Sequence, residues 1–307
     1  MSTEPTRPAE AEQEPMVLEA AEPEATATAS APADQTLRRI LIALDASAHS
    51  HAVLAAAMTL AARLHAEVEA LFVEDINLLR LAELPFAREI RFGQTGALQV
   101  ETEALRRNLR ARAAILRHEI EEMATENRLS STFRVARGAV AEEILSAARE
   151  VDLLALGRRG HSLAPRAHLG STARAAITGA ASAVLLVRPV VEVGPVLVLY
   201  DGSDAGARTL ALAAQVNSEA SALRVLVWGP DEETALERRQ LAVQILGERG
   251  ADVHYQHLAG GDAQRVLTWV NKQGGSLLIL PTGEGAWPAG TQAALLDEAQ
   301  PHLLLVR

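Results

Sequence analysis

The feature that most constrains the fold of this chain is a strand-and-helix pattern that occurs twice. The apolar run at 40–47, which contains Asp45, matches the run at 196–203, which contains Asp201. In each half an alanine- and leucine-rich helical stretch follows, and then a second apolar strand. Strands that alternate with helices are typical of parallel sheets with right-handed crossover connections. We therefore expect an α/β fold with two tandem doubly wound domains, each an open five-stranded parallel sheet flanked by helices.

The apolar runs also predict where the strands and domains lie. The strands are expected near 39–44, 67–73, 131–136, 152–156 and 184–188 in the first half, and near 195–200, 222–228, 252–257, 276–280 and 302–306 in the second. The corresponding domains span 38–190 and 195–307. A long helix from 97 to 127 is predicted from one apolar stripe, formed by Leu98, Leu105, Leu109, Leu116, Ile120 and Met123.

Composition restricts the cellular setting of the protein. The chain has 307 residues, long enough for two ordinary domains, and 49% of them are hydrophobic, enough for sizeable cores. It contains no cysteine, which excludes disulfides and thiol chemistry and suits a reducing cytoplasm. No apolar run approaches the ~20 residues of a membrane span, and the acidic N-terminus does not resemble a signal peptide. We expect a cytoplasmic protein that does not insert into membranes.

Acidic residues are concentrated at the N-terminus. The net charge of the chain is −10, and residues 1–36 hold eight acidic side chains and one arginine. A segment rich in Ala, Pro, Glu and Thr cannot bury enough apolar surface to offset its ordering entropy. Residues 1–37 are therefore predicted to form a disordered acidic tail. The chain has no concentrated basic face, so no nucleic-acid partner is expected.

A glycine-rich loop follows the apolar run at 151–156 and has the pattern Gly157-x2-Gly160-x9-Gly170-Ser171. Glycines at the carboxyl end of a strand let the backbone approach a ligand closely, because no Cβ is in the way. A helix that begins at Ser171 would add its N-terminal N–H donors and its dipole. This pattern indicates a site for a chain of phosphates. It is neither the Walker loop, which needs Gly-Lys-Ser/Thr, nor the dinucleotide pattern Gly-x-Gly-x-x-Gly.

Other candidate residues lie at the ends of neighbouring predicted strands. Asp45, Val73 and Gly138 each stand where a strand of the first half ends, as the Gly157 loop does. Ligands of open α/β sheets bind beyond the carboxyl ends of the strands, where the strand order reverses. We therefore expect these residues to surround one ligand.

These motifs resemble the universal stress protein family. The family has three hallmarks. The first is an Asp that ends the first strand, here Asp45, and the second is a Gly after the third strand, here Gly138. The third is the glycine loop, which here ends in Gly170-Ser171-Thr172. The resemblance is strong over 38–188 and weak over 195–307. It implies an ATP-binding α/β fold with strand order 3-2-1-4-5 and frequent pairing through the last strand.

By the same resemblance, Ala43 and Val73 would contact the adenosine through their backbones, and Asp45 would lie near the nucleoside and any metal. The Gly157–Gly160 loop and Ser171 would hold the phosphates. The full predicted nucleotide-binding set is Ala43, Asp45, Ser47, Val73, Gly138, Gly157, Arg158, Gly160, Gly170, Ser171 and Thr172. ATP, bound with Mg²⁺, is the expected cofactor.

The second half departs from this pattern. Pro281 stands where Gly157 aligns, Glu284 stands where Gly160 aligns, and no Gly-Ser pair follows at the required distance. Proline removes an N–H donor, and glutamate repels phosphate. The segment 201–203 is expected to serve as a strand-to-helix turn and N-cap. We therefore predict an internal pseudo-dimer with one nucleotide site, in the first half.

The favoured function is that of an ATP-binding, non-enzymatic stress-response regulator in the cytoplasm. One alternative is a slow ATPase or an adenylate-transferring enzyme, although the chain shows no general base and lacks the Ser-Gly-Gly-x-Asp-Ser loop of adenylating relatives. Another is an interaction module that binds no nucleotide. No catalytic residue is predicted. No metal site is predicted either, because His254 and His257 are three apart on a strand and therefore point to opposite faces.

The segment 75–127 leaves further alternatives open. Its apolar part could close over the nucleotide pocket, cover an interface or pack in the core. Its arginines could form a solvated face paired with Glu101 and Glu103, or bind an acidic protein partner. A homodimer in addition to the internal pseudo-dimer is also considered.

Overall fold

The structure is a computed structural model. It describes residues 37–45, 50–84, 88–90, 97–99, 101–159, 169–191, 193–217, 223–282 and 287–307, with 88–90 and 97–99 as backbone only. The predicted tail therefore lies outside the described residues, apart from Leu37. Leu37 is 8% exposed and packs in the core.

Twelve strands and nine helices occupy the described part of the chain. The strands are β1 (Arg39–Leu44), β2 (Glu67–Asp75), β3 (Arg88–Ile90), β4 (Ala97–Gln99), β5 (Ser131–Gly138), β6 (Leu153–Gly157), β7 (Ala183–Val187), β8 (Val196–Tyr200), β9 (Leu223–Gly229), β10 (His254–Ala259), β11 (Leu277–Pro281) and β12 (His302–Val306). The helices are α1 (Ser50–Leu64), α2 (Ile76–Ala82), α3 (Thr102–Asn127), α4 (Val140–Ala147), α5 (Ser171–Gly179), α6 (Asp204–Val216), α7 (Glu232–Leu246), α8 (Ala263–Lys272) and α9 (Thr291–Glu298). We call β1 to β7 with their helices the first half and β8 to β12 with theirs the second half.

Ten of the strands form one sheet, in the order β10-β9-β8-β11-β12-β7-β6-β1-β2-β5. Each half contributes five parallel strands in the order 3-2-1-4-5, which confirms the predicted doubly wound fold. The two halves meet where β7 pairs antiparallel with β12, with Leu185 opposite Leu304. Both strands are almost wholly apolar and buried. An apolar edge strand left unpaired invites aggregation, and this pairing covers both edges.

Helices cover both faces of the sheet, so alternate residues of each strand enter different cores. In β1, Ile40 and Ile42 face one core, and Leu41 and Ala43 face the other. Each core contains residues from both halves. The described residues from Leu37 to Arg307 accordingly belong to one compact unit, and the proposed boundary between 190 and 195 stays a prediction.

The predicted helix from 97 to 127 begins too early. Residues 97–99 form β4, which pairs antiparallel with β3, and the helix begins at Thr102. Tertiary pairing of the backbone at 97–99 thus overrides the helical periodicity read from Leu98. The rest of the stripe is confirmed, because Leu109, Leu116 and Ile120 are buried.

In the described part of 75–127, one apolar side chain packs in the core and one arginine pairs with glutamates. Leu79 of α2 packs in the core. Arg106 of α3 forms ion pairs with Glu103 at 3.0 Å and with Glu83 at 3.2 Å.

Across the described residues, no helix is both long and apolar enough to span a membrane.

Candidate functional site

The candidate site lies where β1 and β6 end side by side. These strands are parallel neighbours, with Ile42 opposite Ala155, so their carboxyl ends open toward the same space. A cavity of about 90 Å³ lies there. It is lined by Ala43, Leu44, Asp45, Ser50, Val53, Val140, Ile144, Leu156, Gly157, Arg159, Gly170, Ser171, Thr172 and Ala173. The crevice matches the place where open α/β sheets bind ligands.

Asp45, the residue that follows β1, is held by the first residue of α1. The Ser50 hydroxyl lies 2.6 Å from the Asp45 carbonyl oxygen and 3.0 Å from Asp45 Oδ1, and donates to this pair of acceptors. Ser50 is 3% exposed, so the contact is protected from water. This fixes the Asp45 carboxylate at the rim of the cavity. Sequence reasoning missed Ser50, because its hydroxyl donates back to Asp45 and does not act as a cap of α1.

The opposite wall of the cavity is the start of α5. The helix begins at Ser171, as predicted, with Gly170 in the extended conformation of an N-cap. The Gly170 N–H donates to the Arg158 carbonyl oxygen at 3.0 Å, which brings the two ends of the glycine loop together. The N–H groups of the first turn of a helix have no partner within the helix, and they carry the positive end of its dipole. Ser171 and Thr172 therefore present anion-binding geometry to the cavity.

The close packing around Gly157 explains the glycine at the end of β6. A Cβ at this position would lie 3.3 Å from the Arg159 carbonyl oxygen and 3.7 Å from Val53 Cγ2. The first distance is tight enough that the backbone would have to shift. A glycine here keeps the β6 end close to the cavity wall formed by α1.

The two arginines of the loop point in different directions. Arg159 is exposed and lines the cavity. Arg158 is 4% exposed, and its guanidinium donates to Ala299 O at 2.6 Å and to Leu295 O at 3.3 Å. Burial, followed by repulsion from Arg188 and Arg159, lowers the Arg158 pKa to about 10.

The Arg158 side chain thus contacts the second half rather than the cavity, and its backbone N–H donates to Val187 O at 2.9 Å. Its predicted place in the nucleotide site has no support from this geometry. The basic side chain that does line the cavity, Arg159, was passed over. Alternation along an extended segment was the available signal, because neighbouring side chains there point to opposite sides.

Six of the eleven predicted residues line the cavity together: Ala43, Asp45, Gly157, Gly170, Ser171 and Thr172. Val73 was expected at the end of its strand, but β2 continues for two more residues to Asp75, which pairs with Gly138. Neither Val73 nor Gly138 lines the cavity. Ser47 and Gly160 lie outside the described residues, and their predicted roles stay predictions.

Comparison with known proteins decides the family. Residues 36–188 match the model of the universal stress protein family. The chain belongs to this family.

Solved structures of universal stress proteins share the fold over nearly the whole chain. One from Archaeoglobus fulgidus is 16% identical and superposes with a TM-score of 0.62, covering 87% of this chain and 97% of its own. A protein from Pseudomonas aeruginosa assigned to the same family is also 16% identical, with a TM-score of 0.53 and coverages of 88% and 93%. A further universal stress protein, crystallised in complex with cAMP, is 19% identical, covers 50% of this chain and 99% of its own, and has a TM-score of 0.36. A comparison with curated protein sequences gives no match.

The second half of this family member keeps the architecture of the site with different chemistry. Pro281 ends β11 as Gly157 ends β6, and α9 begins at Thr291 after Gly290, as α5 begins after Gly170. The loop is shorter, which is why no Gly-Ser pair was found at the expected distance. The Thr291 hydroxyl donates to Pro288 O at 2.7 Å and is buried, so it is already engaged.

The turn after β8 is built as predicted. Ser203 caps α6 by accepting from the Gly206 N–H at 3.0 Å. Asp201 Oδ1 accepts from the Ser203 N–H at 3.1 Å and from its hydroxyl at 2.6 Å. The aspartate of the second half therefore organises a turn.

No cluster of three His, Asp or Glu side chains suited to a metal ion occurs in the part of the chain that the structure describes. His254 is exposed and His257 is half-buried on β10, in agreement with opposite faces.

Proposed function

We propose that this universal stress protein is a cytoplasmic regulator that binds one ATP, in the cavity of the first half. The observation that carries the proposal is the convergence of the β1 end, the β6 end and the α5 N-terminus on one crevice. The Asp45 side is suited to the nucleoside. The side formed by Gly157, Ser171, Thr172 and Arg159 offers N–H donors and a cation to the phosphates.

The residues present also fit a magnesium–triphosphate complex. Mg²⁺ keeps several waters and is usually held by one or two carboxylates together with substrate phosphates. Asp45 supplies one carboxylate at the rim of the cavity, and it is the one acidic side chain among the described lining residues. Asp45 would hold the ion through its carboxylate or through water, and the ion would neutralise phosphate charge.

The second half is proposed to bind no triphosphate. Pro281 offers no N–H at the strand end, and the Thr291 hydroxyl is engaged with Pro288 O. The nucleotide stoichiometry of the whole chain should therefore be one.

Calorimetric titration of ATP, with and without Mg²⁺, into protein stripped of co-purified nucleotide tests the proposal. Saturable binding near one ATP per chain supports it, and two per chain would refute the single site. No binding would favour the pure interaction module. Release of ADP or AMP in proportion to the protein concentration, lost in Asp45→Ala, would favour the slow ATPase or adenylate-transferring enzyme. A parallel titration with cAMP tells a triphosphate site from one for a cyclic nucleotide.

A matched pair of substitutions locates the site. Thr172 and Gln292 are the second residues of α5 and α9, the equivalent helices of the two halves. A glutamate near the first turn of a helix is compatible with folding, because it complements the helix dipole. At 4 Å, repulsion between two unit charges amounts to about 1 kcal/mol in water and about 4 kcal/mol near a protein surface. Thr172→Glu should therefore weaken ATP binding roughly tenfold or more.

Thr172→Gln and Gln292→Glu are the controls, and both should bind ATP nearly as the wild type does. Equal losses in Thr172→Glu and Thr172→Gln would show that the side-chain change, not the charge, disturbs the site. A loss in Gln292→Glu alone would move the site to the second half.

A protein partner is proposed to dock on the segment 75–127. Support comes from α2, where Leu78 is 43% exposed and Leu81 is 54% exposed. A homodimer in addition to the internal pseudo-dimer stays a prediction, which sedimentation of the purified chain would test.

A further inference from the structure

The second half contains its own cavity at the position equivalent to the nucleotide site. Its volume is about 350 Å³, against about 90 Å³ in the first half. It lies between the ends of β8 and β11, the turn at 287–290 and the first turns of α9. The described lining residues are Leu199, Leu280, Pro281, Trp287, Pro288, Ala289, Gly290, Thr291, Gln292, Ala293 and Leu295.

The chemistry of this cavity differs from that of the first half. None of its described lining residues carries a charge, whereas Asp45 and Arg159 line the other cavity. The walls are aliphatic side chains, two prolines and the indole of Trp287. Small-molecule sites of 300–1,000 Å³ are typically lined in this way, with a few polar groups that fix the orientation of the ligand.

The indole of Trp287 is supported from behind by a second aromatic ring. The ring centroids of Trp287 and Trp228 are 6.0 Å apart, with the planes tilted by 36°. The Arg238 guanidinium lies 5.6 Å from the Trp228 ring centroid and donates to Trp228 O at 2.8 Å. Tilted aromatic pairs and a cation over a ring face stabilise ring positions. The Trp287 ring is therefore held in a fixed position in the wall of the cavity.

We propose that this cavity of the second half binds an uncharged, planar aromatic molecule. Its ring stacks against Trp287 and the prolines. The site takes no phosphate, because the described lining residues provide no cation and Thr291 is engaged with Pro288. The inference does not depend on ATP binding in the first half.

Prodan, an uncharged naphthalene ketone, is a suitable probe. Its emission shifts to the blue in apolar surroundings, and it accepts energy from tryptophan. Trp228, Trp269 and Trp287, the three tryptophans of the chain, lie in the second half. Titration into the full-length protein should give saturable binding near one prodan per chain, with quenching of tryptophan emission. The absence of saturable binding would overturn the proposal.

Matched substitutions on α9 locate the probe. Ala293 is exposed and lines the cavity, so Ala293→Phe fills the space without disturbing the core. It should weaken prodan binding at least tenfold. Glu298→Phe places the same ring on an exposed position of the same helix, outside the lining, and should leave binding unchanged. Unchanged binding in Ala293→Phe would overturn the assignment. If circular dichroism shows that Ala293→Phe does not fold, Ala289→Phe is the second variant that fills the cavity.

The role of the Trp287 ring has a separate test. Trp287→Leu removes the aromatic face and should weaken prodan binding about fivefold. Unchanged binding in this variant would overturn the stacking on Trp287. Displacement of prodan by stoichiometric ATP in a Thr172→Glu background would show that the cavity takes phosphate, and would overturn the proposal.

Discussion

Acidification should loosen the junction between the two halves through one histidine. His302 is the first residue of β12, and its Nδ1 accepts from the backbone N–H of Arg188, just after β7, at 3.2 Å. This bond requires an unprotonated Nδ1. Burial, followed by the nearby Arg188 guanidinium, lowers the His302 pKa to about 4.

The size of the effect follows from the difference between the folded and unfolded pKa values. The pKa of His302 is about 4 in the folded protein, against an ordinary histidine value of 6.5. The unfolded chain therefore binds more protons between these values, so the stability present above pH 6.5 is lost as the pH falls toward 4. Each pKa unit corresponds to about 1.4 kcal/mol, so His302 should reduce the free energy of unfolding by about 2 kcal/mol at pH 5.

Urea unfolding at pH 7 and pH 5 measures this loss, with His302→Asn as the key variant. Asparagine can present Oδ1 to the same N–H and does not titrate, so the variant should lose about 2 kcal/mol less than the wild type on acidification. His118→Asn is the control, because the His118 side chain is 72% exposed beside Glu122 and contributes little. Equal losses in the wild type and His302→Asn would refute the reasoning.

Three further substitutions test the packing and capping contacts. Arg158→Leu removes two charge-assisted hydrogen bonds but also a buried charge, and should lower the free energy of unfolding in urea by about 2 kcal/mol, while the exposed Arg159→Leu leaves it unchanged. Ser203→Ala removes the N-cap of α6 and should cost about 1 kcal/mol, measured by thermal denaturation. Leu304→Ala empties a fully buried site at the junction of the halves and should cost about 2–5 kcal/mol, against little for the 46% exposed Leu236→Ala.

Much of the fold could be predicted from local sequence because its strands are short apolar runs bounded by polar or glycine residues. The strand predicted at 39–44 is β1, and the helical stretch after it, which begins near residue 50, is α1. The helix predicted from 97 fails for a complementary reason. Whether 97–99 is helical depends on pairing with 88–90, and periodicity within the helix does not contain that information.

The parts of the site that escaped prediction depend on contacts between distant segments. Arg158 and Arg159 are adjacent and chemically identical. Alternation along the segment predicts that they point to opposite sides, but it does not say which of the two faces the cavity. The carbonyl oxygens of Leu295 and Ala299, more than 130 positions away, draw Arg158 out of the cavity. A family motif transferred residue by residue takes no account of such a contact.

The junction between the halves also explains how a duplicated fold can have two cavities with different linings. Arg188 and Arg307 each follow the last strand of their half, and each donates to a carbonyl near the end of the last helix of the other half, Ala299 O and Ile177 O respectively. Cations at helix carboxyl ends complement the dipole, so these reciprocal contacts preserve the symmetry of the pair. Arg158 adds a second guanidinium to α9, whereas Thr282, which follows β11 as Arg158 follows β6, donates to Val306 O within its own half. Because α9 is held from its carboxyl end by the first half, its amino end and the loop before it can shorten and become apolar without loosening the sheet.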